Sequence, residues 1–295
     1  MVYILNIKEP VKLFLVMRTK TKEEVMKLNL LKSVALSLVA IAGIGQAAFA
    51  KDYSPEALRG LIQRAEDTVH QGKQPVVMFD LDDTLVNTRE RTLRILQDFA
   101  AQTDIQSAYP DDVAKIKMLQ VIQIQFSLAD TLKAVGVIND DLTKKASDFW
   151  INRFFTNEYC AKDQPNPGAA KYLHLLARAG AKIVYLTGRD TPRMGDGTEA
   201  NLILNRFPTN PSQAILIMKP DSKLDDLVFK ESQYSAVTAM GEVIGMFENE
   251  PANINSMADA FPNAEAIFLD TIHSPKPDVP EERVEWVKDF RLPAQ

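Results

Sequence analysis

The sequence predicts an α/β protein with a Rossmann-like, doubly wound parallel sheet and a small helical cap inserted after the first strand. Three observations predict this class: short apolar runs, helix-like stretches between them, and a long helix-rich gap after the first run. Continuous rather than alternating hydrophobicity is typical of parallel strands that helices cover on both faces. Five such runs joined by helical crossovers indicate a doubly wound sheet. The predicted strands lie at residues 75–80, 182–186, 214–218, 243–247 and 266–269.

The first fifty residues are predicted to be an upstream extension followed by a signal peptide. Residues 26–50 combine a basic start, an apolar run and the small-residue ending Ala48-Phe49-Ala50, which is the pattern of a secretory signal. The apolar run of about 13 residues is short for a membrane span, which needs ~20. We therefore expect export to the periplasm or the medium after cleavage near Ala50. The mature protein is expected to have no membrane segment, and residues 1–25 to be an over-extended start.

Composition excludes several classes of function. The net charge of -5 gives no support to nucleic-acid binding, which usually shows a basic domain. The single cysteine, Cys160, excludes an intramolecular disulfide and a cysteine-based zinc cluster. With three histidines in the chain, a multi-histidine metal site is also disfavoured.

The α/β core is predicted to consist of residues 51–87 and 166–295. Its first helix begins at Ser54, a residue type that caps helices, followed by Pro55 in the first turn. Apolar residues then recur at helical spacing up to the first strand. These residues are Leu58, Leu61, Ile62, Ala65 and Val69.

Residues 88–165 are predicted to form the helical cap. About a hundred residues separate the first two predicted strands, whereas a crossover needs only about a dozen. The helix-like patterns in this gap lie at 88–101, 111–134 and 140–155. An insertion at this point would lie over the carboxyl edge of the sheet, where open α/β sheets bind ligands. Four aromatic residues are expected to form the core of the cap rather than a stacking platform: Phe149, Trp150, Phe154 and Phe155.

Two carboxylates directly follow the first predicted strand. Asp80 and Asp82 are expected to point the same way and to repel each other unless a cation neutralises them. Mg²⁺ bound through oxygen is the natural partner, and it would also screen an incoming phosphate. One carboxylate could attack phosphorus and form an aspartyl-phosphate, while the other protonates the leaving oxygen and later activates water. For these two residues alone, a solvated acidic turn is the alternative interpretation.

Polar residues also follow or precede other predicted strands. Thr187 and Gly188 offer a hydroxyl and backbone N–H groups that can hold phosphate oxygens, although a capped turn has the same pattern. Lys230 opens the helix before the fourth strand, and Lys219 is a rival earlier in the chain. The fourth strand ends in Glu248-Asn249-Glu250, either an acidic loop or a set of ligands opposite the first pair.

In this order, these residues resemble the motifs of the haloacid dehalogenase-like (HAD) hydrolase superfamily over most of residues 51–295. Asp80, Asp82 and Thr84 fit its first motif, Asp-x-Asp-x-Thr, and Thr187 fits its second. Its third motif is a lysine, for which Lys230 is preferred because it lies closer to the fourth motif. The fourth motif is usually built on Asp, and here it departs from that pattern with Glu248-Asn249-Glu250.

The resemblance implies roles for these residues. Asp80 would be the nucleophile and Asp82 the general acid/base. Mg²⁺ would be held by the Asp80 side chain, the Asp82 backbone carbonyl and Glu248. The predicted phosphate-binding residues are Thr84, Thr187, Gly188 and Lys230. Family members that cleave carbon–halogen bonds lack the second Asp, so Asp82 favours phosphate chemistry, and exported members of this kind resemble acid phosphatases.

The favoured prediction is a Mg²⁺-dependent phosphomonoesterase that acts on a small phosphorylated metabolite through an aspartyl-phosphate. The alternative is a non-catalytic protein on the same fold that binds a phosphorylated ligand or a partner. The Glu248-Asn249-Glu250 departure favours that alternative. Neither the substrate nor the oligomeric state follows from the sequence.

Overall fold

A computed structural model describes residues 52–293 of the chain. The predicted leader, residues 1–50, lies outside the described residues, so the export signal stays a prediction. Across residues 52–293, no helix combines the length and the apolar character that crossing a membrane requires.

A six-stranded parallel sheet forms the centre of the described part of the chain. The described residues contain strands of this sheet and of a separate two-stranded pair. In chain order they are β1 (Pro75–Phe79), β2 (Val86–Asn87), β3 (Gln164–Pro165), β4 (Lys182–Asp190), β5 (Ala214–Lys219), β6 (Glu242–Glu248), β7 (Glu265–Leu269) and β8 (Glu285–Val287). The order in the sheet is β5-β4-β1-β6-β7-β8, and every pairing within it is parallel. The short strands β2 and β3 pair separately and antiparallel.

Helices connect the strands of the sheet. Those in the described residues are α1 (Pro55–His70), α2 (Thr88–Ala100), α3 (Thr103–Ala108), α4 (Pro110–Lys117), α5 (Leu128–Ala134), α6 (Asp140–Phe154), α7 (Asn157–Cys160), α8 (Ala169–Arg178), α9 (Thr191–Leu204), α10 (Asp226–Thr238) and α11 (Pro251–Ala260). Helix α1 begins at Pro55 as predicted, but the Ser54 side chain makes no capping hydrogen bond. The Ser54 backbone N–H instead donates to Trp286 of β8.

The predicted doubly wound parallel sheet is confirmed. The five predicted strands correspond to β1, β4, β5, β6 and β7. Strand β8 was not predicted, because three residues carry too short an apolar pattern to stand out. Strand β1 is central, with β4 on one side and β6 on the other, so the carboxyl ends of these three strands meet at one edge.

Both faces of the sheet are covered, which explains the continuous apolar runs. All five residues of β1 are buried. Val77 and Phe79 belong to a core cluster shared with α1 and α8, whereas Val76 and Met78 belong to a cluster shared with α10 and α11. Alternate residues of the strand therefore serve opposite layers.

Helices α2 to α7 lie between β2 and β3 in the chain and have an apolar cluster of their own. This cluster includes Leu96, Phe99, Ile116, Leu132 and Leu142. A segment with its own core is what a cap requires, but the division of residues 51–295 into a cap domain and a core domain stays a prediction. Residues 88–165 are called the helical insertion below.

Candidate active site

A cavity of about 540 Å³ lies at the carboxyl edge of the sheet, where β1, β4 and β6 end. Its wall includes the acidic loop after β1, residues 187–189 of β4, the start of α10 and residues 248–250. The helical insertion contributes residues from α2 and α6. This position matches the ligand-binding edge of open α/β sheets.

Asp80 lies at the base of this cavity beside Lys230 and Glu248. The Asp80 backbone N–H donates to Phe247 of β6, so Asp80 and Glu248 continue two adjacent strands at the same level. The Lys230 Nζ, carried by α10, lies 2.8 Å from Asp80 Oδ1 and 2.5 Å from Glu248 Oε2. All three side chains are buried, and this lysine bridges the two carboxylates.

The two oxygens of the Asp80 carboxylate are in different situations. Oδ1 accepts the hydrogen bond from Lys230, whereas no hydrogen bond from the described residues engages Oδ2. Burial and the neighbouring Glu248 raise the pKa of Asp80 well above its usual value, and the ammonium of Lys230 opposes that rise. Burial acts to lower the pKa of Lys230, but the two carboxylates outweigh it and raise that pKa above its usual value.

Glu248 has little free bonding capacity. Its Oε1 accepts from the backbone N–H groups of Asn249 and Glu250, both at 3.0 Å. Its Oε2 accepts from Lys230 and, at 3.3 Å, from Asn253 Nδ2. A carboxylate offers about four acceptor positions, so those of Glu248 are all in use.

Lys219, the rival to Lys230, lies elsewhere. Its Nζ pairs with the carboxylate of Asp226 and donates to the backbone oxygen of Leu224 at 3.0 Å. Neither Asp80 nor Glu248 is among its ion-pair partners. Of the two lysines, Lys230 is the one that reaches the acidic group at the end of β1.

Asp82 is held by two buried arginines. Arg91 of α2 lies 2.7 Å from Asp82 Oδ1, and Arg189 of β4 lies 2.6 Å from the same atom. Asp82 also lines the cavity, and its side chain is 33% exposed. Although burial acts the other way, the two guanidinium groups hold the pKa of Asp82 well below its usual range. In this arrangement Asp82 is ionised, so it has no proton to donate, and the two guanidinium groups also lower its affinity for one.

The same two arginines share a second carboxylate, that of Asp163. Arg91 Nε lies 2.9 Å from Asp163 Oδ1, and Arg189 lies 2.8 Å from Asp163 Oδ2. The motif analysis missed Arg91, Arg189 and Asp163. Only Arg189 had a local signal, as the residue after Thr187-Gly188, whereas the other two come from the helical insertion.

Asp83 is a further residue of the cavity wall to which the motif analysis assigned no role. Its backbone has a φ of 57°, a left-handed conformation that aspartate tolerates. The backbone N–H of Thr88 and the Thr88 hydroxyl both donate to its carboxylate. Burial, the largest effect, and the nearby charge of Asp82 raise the pKa of Asp83 to about 7.

Thr84 is not part of the cavity wall, which corrects its prediction as a phosphate-binding residue. Its side chain is fully buried, and its hydroxyl donates to Asn249 Oδ1 at 3.0 Å. The local sequence pattern does not show that the Thr84 side chain is buried away from the cavity. Thr84 therefore ties the loop after β1 to the loop after β6.

Thr187 and Gly188 do line the cavity, as predicted. The Thr187 Oγ1 accepts from the backbone N–H of Arg189 at 3.3 Å. A Cβ atom at Gly188 would lie 2.6 Å from the carboxyl carbon of Asp226, so glycine allows α10 to begin close to the end of β4. That approach places Lys230, one turn further along α10, at Asp80.

The aromatic residues of α6 correct a second prediction. Trp150, Phe154 and Phe155 are half-buried and line the cavity, so they are not core of the insertion. Phe149 packs against the core cluster of the insertion, as predicted, with its ring 5.5 Å from that of Phe99. The sequence pattern of these four aromatic residues, within residues 149–155, does not show which of them face a cavity.

The family model of the haloacid dehalogenase-like hydrolases matches residues 75–208, from β1 to the end of α9. Residues 75–208 are therefore similar to a haloacid dehalogenase-like hydrolase. This finding confirms the resemblance drawn from the motifs.

Solved structures that are similar to this chain share little sequence with it. A candidate phosphatase from Clostridium difficile is 16% identical, with a TM-score of 0.44 and coverage of 68% of this chain and 88% of that chain. A class C acid phosphatase from Bacillus anthracis is 15% identical, with a TM-score of 0.38 and coverage of 72% and 77%. A dehalogenase is 14% identical, with a TM-score of 0.40 and coverage of 74% and 94%. No curated protein sequence matches this chain.

The donor set of this site fits a hard divalent cation. Asp80 Oδ2 and the Asp82 backbone oxygen accept no hydrogen bond from the described residues. Within residues 52–293, no group of three carboxylate, His or Cys side chains forms a metal site by itself, so a carbonyl or water ligand is needed. Acidic residues outnumber basic ones along the cavity wall: Asp80, Asp82, Asp83, Asp225, Asp226, Glu248 and Glu250 against Arg89, Arg189, Lys230 and Lys276.

Proposed function

We propose that this hydrolase is a Mg²⁺-dependent phosphomonoesterase that acts on a small phosphorylated metabolite. The observation that carries the proposal is the Asp80 carboxylate at the cavity, with one oxygen bound by Lys230 and the other without a hydrogen bond from the described residues. A carboxylate oxygen so oriented is suited to attack a phosphorus atom. Residues 1–50 would serve as an export leader, and the helical insertion would serve as the cap over the cavity.

In the first step, Asp80 Oδ2 would attack phosphorus, and the bond from phosphorus to the leaving alcohol would break. Lys230 would stabilise the negative charge of the transferring phosphoryl group, with Thr187 and the backbone at Gly188 binding its oxygens. Asp82 in its protonated form would give a proton to the leaving oxygen. The resulting carboxylate would take a proton back from the water that attacks phosphorus in the second step, which breaks the bond to Asp80 and releases phosphate. The ion pairs to Arg91 and Arg189 favour the carboxylate form, the form that the second step needs.

A Mg²⁺ ion would neutralise the acidic wall and allow a phosphate dianion to enter. The Asp80 carboxylate, through the oxygen that does not attack phosphorus, and the Asp82 backbone oxygen would hold it. Glu248 would act through a water molecule or by exchanging a hydrogen bond, because its acceptor positions are in use.

The test is phosphate release by residues 51–295 from a panel of phosphomonoesters, with Mg²⁺ and with a chelator. We expect release that requires Mg²⁺ and that falls at least ~10³-fold in Asp80→Asn, because the variant loses the nucleophile. A thermal melt shows whether that variant is folded. Asp148→Asn, which changes an exposed carboxylate that does not line the cavity, is the matched control and should keep wild-type activity. Full activity in folded Asp80→Asn would refute the mechanism.

A non-catalytic protein that binds a phosphorylated ligand or a partner is the second candidate. The engagement of every Glu248 acceptor position favours it, since the proposed metal ligand is then committed to structure. The same preparation distinguishes the two. Inorganic phosphate that binds in calorimetry, without release from any ester, would favour the binding protein.

A further inference from the structure

We infer that the substrate of this site carries a flat aromatic ring, as an aryl phosphate or a nucleoside monophosphate does, and that the ring stacks on an aromatic wall formed by Trp150, Phe154 and Phe155. The inference rests on the proposed function, because it assigns a substrate class to the same cavity. It begins from the three aromatic side chains that line the cavity without belonging to a core cluster.

The aromatic wall is a compact and fixed cluster. The ring centroids of Trp150 and Phe154 are 4.5 Å apart, and those of Phe154 and Phe155 are 4.9 Å apart. The Trp150 Nε1 donates to Thr92 Oγ1 at 3.1 Å, which fixes the plane of the indole. Because the rings are already held in place before a ligand binds, stacking on them costs less conformational entropy.

Two arginines fix the other rings of the wall. The guanidinium carbon of Arg91 lies 4.3 Å from the centre of the Phe154 ring, and that of Arg193 lies 5.1 Å from the centre of the Phe155 ring. Cation–π contacts of this kind are favourable within about 6 Å. Two rings of the aromatic wall are therefore packed against charged groups, and all three rings are half-buried.

Helix α2 places the aromatic wall close to the acidic loop. Thr88 donates to Asp83 in that loop, and Thr92 accepts from Trp150. Since Thr88 and Thr92 are one helical turn apart, their positions along the helix differ by about 6 Å. A phosphoryl group at Asp80 and a ring on the aromatic wall could therefore belong to one small molecule.

Further apolar side chains line the same cavity. Phe126 is 56% exposed, although it is a large aromatic residue, and Ile124, Met194 and Ile272 also contribute to the wall. A small polyol phosphate would leave this apolar surface in contact with water. A planar ring would cover it, which is the physical reason for preferring aromatic esters.

The first test compares kcat/KM for phenyl phosphate, adenosine 5′-monophosphate and glycerol phosphate in wild type, Trp150→Leu and Phe154→Leu. Leucine keeps an apolar side chain but removes the π face. The ratio of kcat/KM for an aromatic ester to kcat/KM for glycerol phosphate should fall roughly 5- to 100-fold in each variant. This is the range expected for the loss of one stacking contact. Because both substrates share one preparation, the ratio is independent of the fraction of folded enzyme.

Phe149→Leu is the matched control, because Phe149 lies on the same helix but packs in the core of the insertion. Its ratio should equal that of wild type. A larger fall for phenyl phosphate identifies a ring bonded directly to the phosphoryl oxygen, and a larger fall for the nucleotide identifies a ring beyond a ribose. An unchanged ratio for both aromatic esters in Trp150→Leu and Phe154→Leu would overturn the inference.

A binding measurement separates this inference from the proposed function. Calorimetry with phenylphosphonate and methylphosphonate, which are not hydrolysed, needs no turnover. Phenylphosphonate should bind more tightly, and Trp150→Leu should remove that advantage, even if no ester is cleaved. Equal affinities in the wild type would overturn the inference while leaving phosphatase activity possible.

Discussion

At the scale of single residues, Lys230 is the cation that makes the buried acids of this site tolerable. It lies between Asp80 and Glu248, both of which are buried. Removing one partner of a buried ion pair leaves an uncompensated charge, which is more costly than the absence of the whole pair. The fold and the chemistry therefore depend on the same ammonium group.

Lys230→Met should lower the free energy of unfolding by about 3–5 kcal/mol, because two buried carboxylates lose their cation. Lys144→Met is the control, since Lys144 and its partner Asp148 are both exposed on one helix, and it should cost at most about 0.5 kcal/mol. Urea denaturation in the presence of a chelator measures both. Equal losses in the two variants would mean that Lys230 is not a buried counter-ion.

Asp83 provides a pH-dependent prediction. Burial raises its pKa to about 7 in the folded protein, against 3.8 for an ordinary aspartate. Because the folded-state pKa is the higher one, the stabilising contribution of Asp83 is complete below pH 3.8 and is lost as the pH rises through about 7. Asparagine stays neutral and tolerates the positive φ.

Asp83→Asn should therefore gain stability relative to wild type as the pH rises from 5 to 8. Urea denaturation of both proteins at several pH values, with chelator present, measures the difference in the free energy of unfolding. A difference that stays constant across this interval would show that Asp83 does not titrate with a raised pKa.

At the scale of elements, glycines set how closely the helices around the site approach each other. A Cβ atom at Gly197 of α9 would lie 2.6 Å from the Asn157 Cα of α7 and 2.6 Å from the Cys160 Sγ. Such distances are below ordinary contact, so α7 would have to move. Because α7 directly follows the aromatic wall at the end of α6, a shift of α7 would also disturb the cavity.

Gly197→Ala should destabilise the protein by about 1–3 kcal/mol, the cost typical of overpacking. Gly60→Ala is the matched control, since Gly60 is exposed in α1 and has nothing within 4 Å of its added Cβ. It should raise the stability by about 0.5–1 kcal/mol through helix propensity. Thermal melts of the two variants should shift in opposite directions, and a rise for Gly197→Ala would contradict the packing argument.

At the scale of the whole molecule, a buried ion network joins the helical insertion to the sheet. Arg91 belongs to the insertion, Arg189 to β4 and Asp82 to the loop after β1, and Asp163 lies just before β3. Two guanidinium groups and two carboxylates balance in charge. The network therefore couples the position of the insertion to the carboxylate proposed for proton transfer.

Asp163→Asn should lower the free energy of unfolding by about 3–5 kcal/mol, because two buried arginines then share one carboxylate. Asp148→Asn is the control, since Asp148 forms an exposed pair with Lys144 on one helix, and it should cost at most about 0.5 kcal/mol. Chemical denaturation measures both variants. A loss for Asp163→Asn as small as that of the control would exclude a structural role for the network.

The fold and the acidic centre of the site could be predicted from local sequence. A strand that is buried on both faces is a continuous apolar run, so it can be recognised without knowing which strand it pairs with. The carboxyl ends of neighbouring parallel strands also meet at one edge of the sheet. The strand ends at Asp80, Thr187 and Glu248 were therefore placed together correctly. Strand β8 was missed, because so short a strand is recognised only from its pairing with β7.

The surroundings of that centre were decided by tertiary structure. Local sequence could not show that Thr84 turns inward to Asn249, that Lys230 rather than Lys219 reaches Asp80, or that Asp163 joins Arg91 and Arg189. These contacts join residues far apart in the chain, and the helical insertion supplies several of them. Periodicity reports which side of an element is apolar, whereas the facing element alone determines whether an aromatic residue such as Trp150 meets a core or a cavity.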